Sequence, residues 1–129
     1  MNKPFQRKGS DSNTKVGDDF EAEALRFFAS QGLHLARNYP VDIGITSRKK
    51  RYKFDLGNDK VLVECKAYTW RKNGEVPSGK ITTWNQVMLY FLAVSRSKKY
   101  RKILFVLRNE NKRRKETLAQ YYIRMNSPA

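Results

Sequence analysis

The chain has 129 residues, of which 40% are hydrophobic and 12% aromatic, enough for one core and too few for several domains. It carries 27 Lys and Arg against 12 Asp and Glu, a formal net charge of +15, and such a field favours a polyanionic partner such as nucleic acid. A single cysteine excludes an internal disulfide and a cysteine-held zinc or iron–sulfur site; no apolar run is long enough to span a bilayer, and none follows Lys3, Arg7 and Lys8 as a signal-peptide core, so a cytoplasmic, membrane-free protein is expected.

Residues 1–15 are polar and basic and read as a flexible tail, with a single domain over 16–129. Val16 to Gln31 has helical periodicity, with Val16, Phe20, Ala24, Phe27 and Phe28 forming an apolar stripe. Asp18, Asp19 and Glu21 suit its positive end, and Gly32 stops it. Glu21 lies at the edge of the stripe, where it is either a plain first-turn acid or a carboxylate looking along the sheet edge toward a metal site. Leu33 to Tyr39 reads as a short strand ended by Pro40, and Val41 to Ile45 as a turn or edge segment. Arg48, Lys49, Lys50 and Arg51 form a basic run, either a solvated loop or a grip for a phosphate backbone passing the next element.

That element is the hairpin from Lys53 to Tyr68, turning at Gly57-Asn58-Asp59-Lys60. Alternation sets Val61, Val63, Cys65 and Ala67 on one face and Leu62, Glu64 and Lys66 on the other. On the first strand it sets Tyr52, Phe54 and Leu56 opposite Lys53 and Asp55. With Asn58-Asp59 as the loop, Leu56 pairs with Val61 and Asp55 with Leu62, so that Asp55 lies diagonal to Glu64 on the same face. Two carboxylates and the Lys66 ammonium then converge. Hard cations such as Mg2+ take carboxylate oxygens, substrate phosphate and water, and the main-chain carbonyl of Cys65 is a further candidate ligand. A lysine beside such an ion can position the attacking water and stabilise charge on phosphate. The plain alternative is a surface hairpin with a Lys53–Glu64 ion pair and a solvated Lys66.

Thr69 to Thr82 reads as a polar loop carrying Arg71, Lys72 and Lys80, with Trp70 at its start, a combination that suits nucleic acid. Thr83 to Ser95 reads as a well-buried helix with Trp84, Val87, Met88, Phe91 and Leu92 inward. Gln86 and Tyr90 share a face on it, and a buried Gln86 would bond Tyr90, a backbone group or a nucleotide. Ile103 to Leu107 reads as an interior strand. Asn111 to Met125 reads as a last helix, with Leu118, Tyr121, Tyr122 and Met125 inward and Lys112 to Lys115 at its start. His34 is the only histidine and has no partners for a triad.

Asp55…Glu64-x-Lys66 on a hairpin, within the order helix, strand, hairpin, helix, strand, helix, resembles the PD-(D/E)XK nuclease superfamily. The resemblance covers roughly residues 16–107 and implies an α/β, restriction-endonuclease-like αβββαβ core with a central mixed sheet flanked by helices. It implies Asp55 and Glu64 as metal carboxylates and Lys66 as the catalytic lysine. Gly17 to Glu21 looks like the family's Gly-x-x-x-Glu on the first helix, and Gln86 to Tyr90 like the Gln-x-x-x-Tyr of the RecB-like branch, which adds Glu21 and Gln86 as site candidates and Tyr90 as a nucleic-acid contact. Phe54 stands where the name motif has proline. The implied activity is Mg2+-dependent hydrolysis of DNA, most readily as an endonuclease, with Mn2+ as a substitute ion and a homodimer or larger nuclease assembly as candidate partner. The rivals are a non-cutting DNA-binding module of the same fold and a basic RNA-binding or ribosome-associated protein.

Overall fold

In the computed structural model the backbone is described for residues 4–126 and the side chains for residues 15–126. The elements are α1 (Pro4–Ser30), β1 (Ala36–Ile43), β2 (Lys50–Gly57), β3 (Val61–Lys66), α2 (Ser78–Leu92), β4 (Arg101–Val106), β5 (Glu110–Asn111), β6 (Glu116–Thr117) and α3 (Leu118–Asn126). One sheet has the order β1-β2-β3-β4, antiparallel from β1 to β3 and parallel between β3 and β4. The fold is therefore α/β with a mixed four-stranded sheet. A short β5–β6 ribbon precedes α3.

Alternation along β3 divides the core. Val61, Val63 and Cys65 pack with Phe20, Ala24 and Phe28 of α1, while Leu62 packs with Val87 and Phe91 of α2. Phe54, Leu56, Leu62 and Val63 are all 0% exposed, and each such burial contributes about 1.5–3 kcal/mol. A third cluster joins Trp70 and Trp84 to Leu118 and Tyr122 of α3.

The chain departs from the sequence expectations at several boundaries. Of the expected tail, residues 1–3 lie outside the described residues, and from Pro4 the backbone is helical rather than from Val16. Proline is well suited to a first helical position, where its missing N–H costs nothing. Val16 and Phe27 are about half exposed instead of buried in the stripe. α1 stops as expected at Gly32, whose φ of +82° suits glycine.

β1 runs through Pro40, which is tolerated because β1 is an edge strand. β4 is also an edge strand, not an interior one. α2 begins at Ser78, directly after Pro77, so it takes over the end of the expected loop. Its Leu92 is 76% exposed, contrary to the inward position expected.

The last expected helix is shorter. Thr117 Oγ1 accepts from the Gln120 N–H at 3.0 Å, and Gln120 Oε1 accepts from the Thr117 N–H at 2.8 Å. This reciprocal capping box starts the helix at Leu118, leaving Lys112 to Lys115 in the ribbon's turn. Met125, expected inward, is 57% exposed. Among the described residues no helix is long and apolar enough to cross a membrane.

Candidate active site

The hairpin turn is built by one asparagine. Asn58 Oδ1 accepts from the N–H groups of Lys60 and Val61, both at 2.8 Å, and the Asn58 N–H donates to the Val61 carbonyl at 2.9 Å. An Asx turn of this kind is longer than the two-residue loop expected. Leu56 consequently faces Val63 rather than Val61, and Gly57 faces Leu62. A shift by an even number of residues leaves every β3 side chain on its expected face, and it brings Asp55 level with Glu64 instead of diagonal to it.

Beyond Leu56 and Val63 the main-chain ladder gives way to side chains. The Asp55 N–H donates to Glu64 Oε2 at 2.8 Å, and the Cys65 N–H donates to Asp55 Oδ2 at 2.8 Å. The alternation of β2 also breaks here. Phe54 and Tyr52 pack with the α2 cluster, but Leu56 packs with the α1 cluster. The expectation that all three share a face therefore fails. On the neighbouring strand, Asn38 has φ +54°, between the pairs Arg37–Leu56 and Tyr39–Phe54. Both strands change face around this point, with Asp55 at the change.

Glu64 is 1% exposed. The Tyr52 hydroxyl donates to its Oε1 at 2.5 Å, which disposes of a surface Lys53–Glu64 pair. Burial pushes the Glu64 carboxyl up to about 7, helped by the Asp55 charge and opposed by the Tyr52 hydrogen bond. The Tyr52 phenol is raised by burial and then by its bond to Glu64. The Cys65 thiol is raised by burial, then by Asp55. Glu21 is raised by burial, then by the Asp55 charge, against the lowering effect of Arg37 at 3.5 Å.

A cleft of about 380 Å³ opens at this place, walled by Val16, Gly17 and Glu21 of α1, by Asp55, and by the Cys65–Tyr68 run, with Lys80 of α2 at its side. Glu21, Asp55, Cys65 and Lys66 are thus brought together. Glu64 sits behind them rather than on the wall. Gln86, expected buried, is exposed. Its Nε2 donates to the Tyr90 hydroxyl at 2.8 Å, and the Tyr90 ring lies 4.4 Å from the Tyr52 ring. Gln86 and Tyr90 therefore reach the acids only through Tyr52 and do not border the cleft.

Tyr52 is a site residue that the sequence does not signal, because regular alternation puts it opposite Asp55 and Glu64. Of the basic candidates, Lys80 borders the cleft, and Arg71 and Lys72 border the recess next to it. Arg48 and Lys50 are exposed. Lys49 donates to the Gly44 carbonyl at 3.0 Å and Arg51 pairs with Asp42 at 3.4 Å, both beside a different recess.

The donor set suits a hard divalent ion in kind, being carboxylates and a main-chain carbonyl. Both Glu64 oxygens and Asp55 Oδ2 accept hydrogen bonds, yet a carboxylate oxygen has two lone pairs and is not exhausted by one. Among the described residues, however, no three Asp, Glu, His or Cys side chains close around a common point as a metal site. Lys66 is in no ion pair among the described residues. Comparison of the chain with protein-family models, with curated proteins and with solved structures returns no match.

Proposed function

We propose that this chain is a Mg2+-dependent deoxyribonuclease with a restriction-endonuclease-like core. One observation carries the reading: in a chain with 27 basic and only 12 acidic residues, burial and then the charge of Asp55 raise the proton affinity of both Glu21 and Glu64. Neither Asp55 nor Glu64 is in an ion pair among the described residues. Such repulsion persists in a fold when something cationic relieves it. The αβββαβ order and the basic surface support the same reading.

Asp55, Glu64, the Cys65 carbonyl and, from α1, Glu21 would hold the ion. Bound there, a divalent ion polarises a phosphoryl oxygen and acidifies a water. The Asp55 and Cys65 N–H groups hold the two carboxylates in register by hydrogen bonds. Lys66, at the cleft wall and in no ion pair among the described residues, orients the attacking water and offsets negative charge building on the phosphate. Tyr52 holds Glu64 from behind. Lys80 draws the phosphate backbone to the opening.

A non-cutting DNA-binding module of the same fold is the second reading, favoured by the absence of a closed three-ligand set among the described residues. Plasmid cleavage in Mg2+, Mn2+ or EDTA separates the two, run beside Glu64→Gln and Lys66→Ala proteins that match the wild type in circular dichroism. Metal-dependent cutting, lost in both variants, is the expected result. Salt-sensitive DNA binding with no product in any metal would reject the nuclease and leave the module.

A further inference from the structure

Three concavities of the molecule run into one another. The cleft shares Lys80 with a recess of about 700 Å³ under the loop that starts at Thr69, and this recess shares Lys72 and Asn73 with another of about 500 Å³ against the β5–β6 ribbon. The loop and the ribbon are tied together. Asn109 Oδ1 accepts from the Trp70 N–H at 2.8 Å, the Asn109 carbonyl accepts from Trp70 Nε1 at 3.1 Å, and Asn111 Nδ2 donates to the Gly74 carbonyl at 3.0 Å. The trough therefore has two fixed banks.

Its charge is one-sided. Arg71, Lys72, Lys80, Arg113 and Arg114 line it and are exposed, and none is in an ion pair among the described residues. The acid on the bank, Glu75, is bonded to Asn73. The Arg114 guanidinium lies over two rings, 5.0 Å from that of Trp70 and 5.9 Å from that of Tyr121. A cation–π contact of this kind uses the charge of the guanidinium and not its N–H donors, which can still bind a phosphate. Recesses of a few hundred cubic ångströms take nucleotide-sized groups, not the convex rod of a duplex.

We infer that the trough is a track for a single nucleic-acid strand, leading from the cleft past Lys80 and Lys72 to Arg113 and Arg114. The connection to the cleft rests on the nuclease reading; the track itself does not. Its partner is a strand continuing unpaired beyond the reacting phosphate, gripped by its backbone.

The test is equilibrium binding of fluorescent oligonucleotides to the full chain in EDTA, where no cutting occurs. The probes are single-stranded DNA, single-stranded RNA of the same sequence, a blunt duplex, and a duplex with a single-stranded overhang. Arg113→Glu/Arg114→Glu is compared with Lys60→Glu/Arg101→Glu, which changes charge equally at the far end of β3, where Arg101 faces Val61. The ribbon variant should lose at least tenfold in affinity for single strands and overhangs and little for the blunt duplex, while the distant variant loses much less. Arg113→Gln/Arg114→Gln should flatten the salt dependence for single-stranded DNA by about 1.4 in log–log slope, from about 0.7 per phosphate contact. The DNA and RNA arms tell which strand is held. Equal losses in both charge-swapped variants, or an unchanged salt slope, would overturn the track. Failure of plasmid cleavage bears on the nuclease reading and leaves this result standing.

Discussion

The Tyr52 hydroxyl and the Glu64 carboxylate meet at 2.5 Å inside the protein, where Glu64 is 1% exposed. The bond is one of two that hold this acid; the Asp55 N–H supplies the other. Tyr52→Phe removes the first without changing the packing of the ring, which stays against Phe54 at 4.8 Å and Tyr90 at 4.4 Å. The variant should lose about 1–3 kcal/mol in urea unfolding, the cost of leaving a buried acceptor unmet. Because that hydrogen bond lowers the Glu64 pKa, the Glu64 titration followed by NMR should also move to higher pH.

Stability should fall with rising pH through Glu64. Its ordinary value is 4.5 and its folded value is about 7. Between these limits the folded state keeps a proton that the unfolded state has released, so the contribution is complete below the lower value and lost by the upper one. The loss is at most on the order of 3 kcal/mol. Chemical denaturation of wild type and Glu64→Gln across this window checks it, and the difference between the two curves isolates the residue. A difference that does not change with pH would show that Glu64 is charged throughout.

Divalent metal should bind more tightly as Glu64 gives up its proton, since ligands must be deprotonated. The rise in Tm caused by Mg2+ or Mn2+ should therefore be larger above the Glu64 value of about 7 than below it. Asp55→Asn should abolish the rise at every pH. A shift that survives in Asp55→Asn would move the ion elsewhere.

Gly57 ends β2 against the edge strand. A methyl group there would lie 2.9 Å from Cβ, Cγ and Cδ2 of Tyr39. Gly57→Ala should cost about 1–3 kcal/mol through overpacking, read as a lower urea midpoint. The Asx turn that follows it should persist, because Asn58 makes its own bonds.

Much of this architecture is legible where local chemistry is regular. The VLVECK run announces a strand with two different faces, and those faces pack on different helices. The Phe20, Ala24 and Phe28 spacing announces the buried side of α1. What misleads is a break in regularity that no nearby residue signals. Phe54 and Leu56 look like one face, but the ribbon turns over at Asp55, level with the positive φ of Asn38 on the neighbouring strand. That turn hides Tyr52 from a reading based on alternation. The hairpin register differs from the expected one by two residues, Val63 and not Val61 facing Leu56, because the Asn58 side chain accepts from the N–H groups of Lys60 and Val61 and so moves the turn. The start of α3 was legible in Thr117 and Gln120, whose spacing is that of a capping box, but the basic run before it looked equally helical.

The reversal at Asp55 has a mechanical outcome. One neighbour, Phe54, is anchored among side chains of α2, and the other, Leu56, among those of α1. A displacement of either helix is thereby levered onto the carboxylate between them. Selection for altered performance of this centre can then find its suppressors and enhancers in greasy interior positions on both sides of the sheet, far from any charged group.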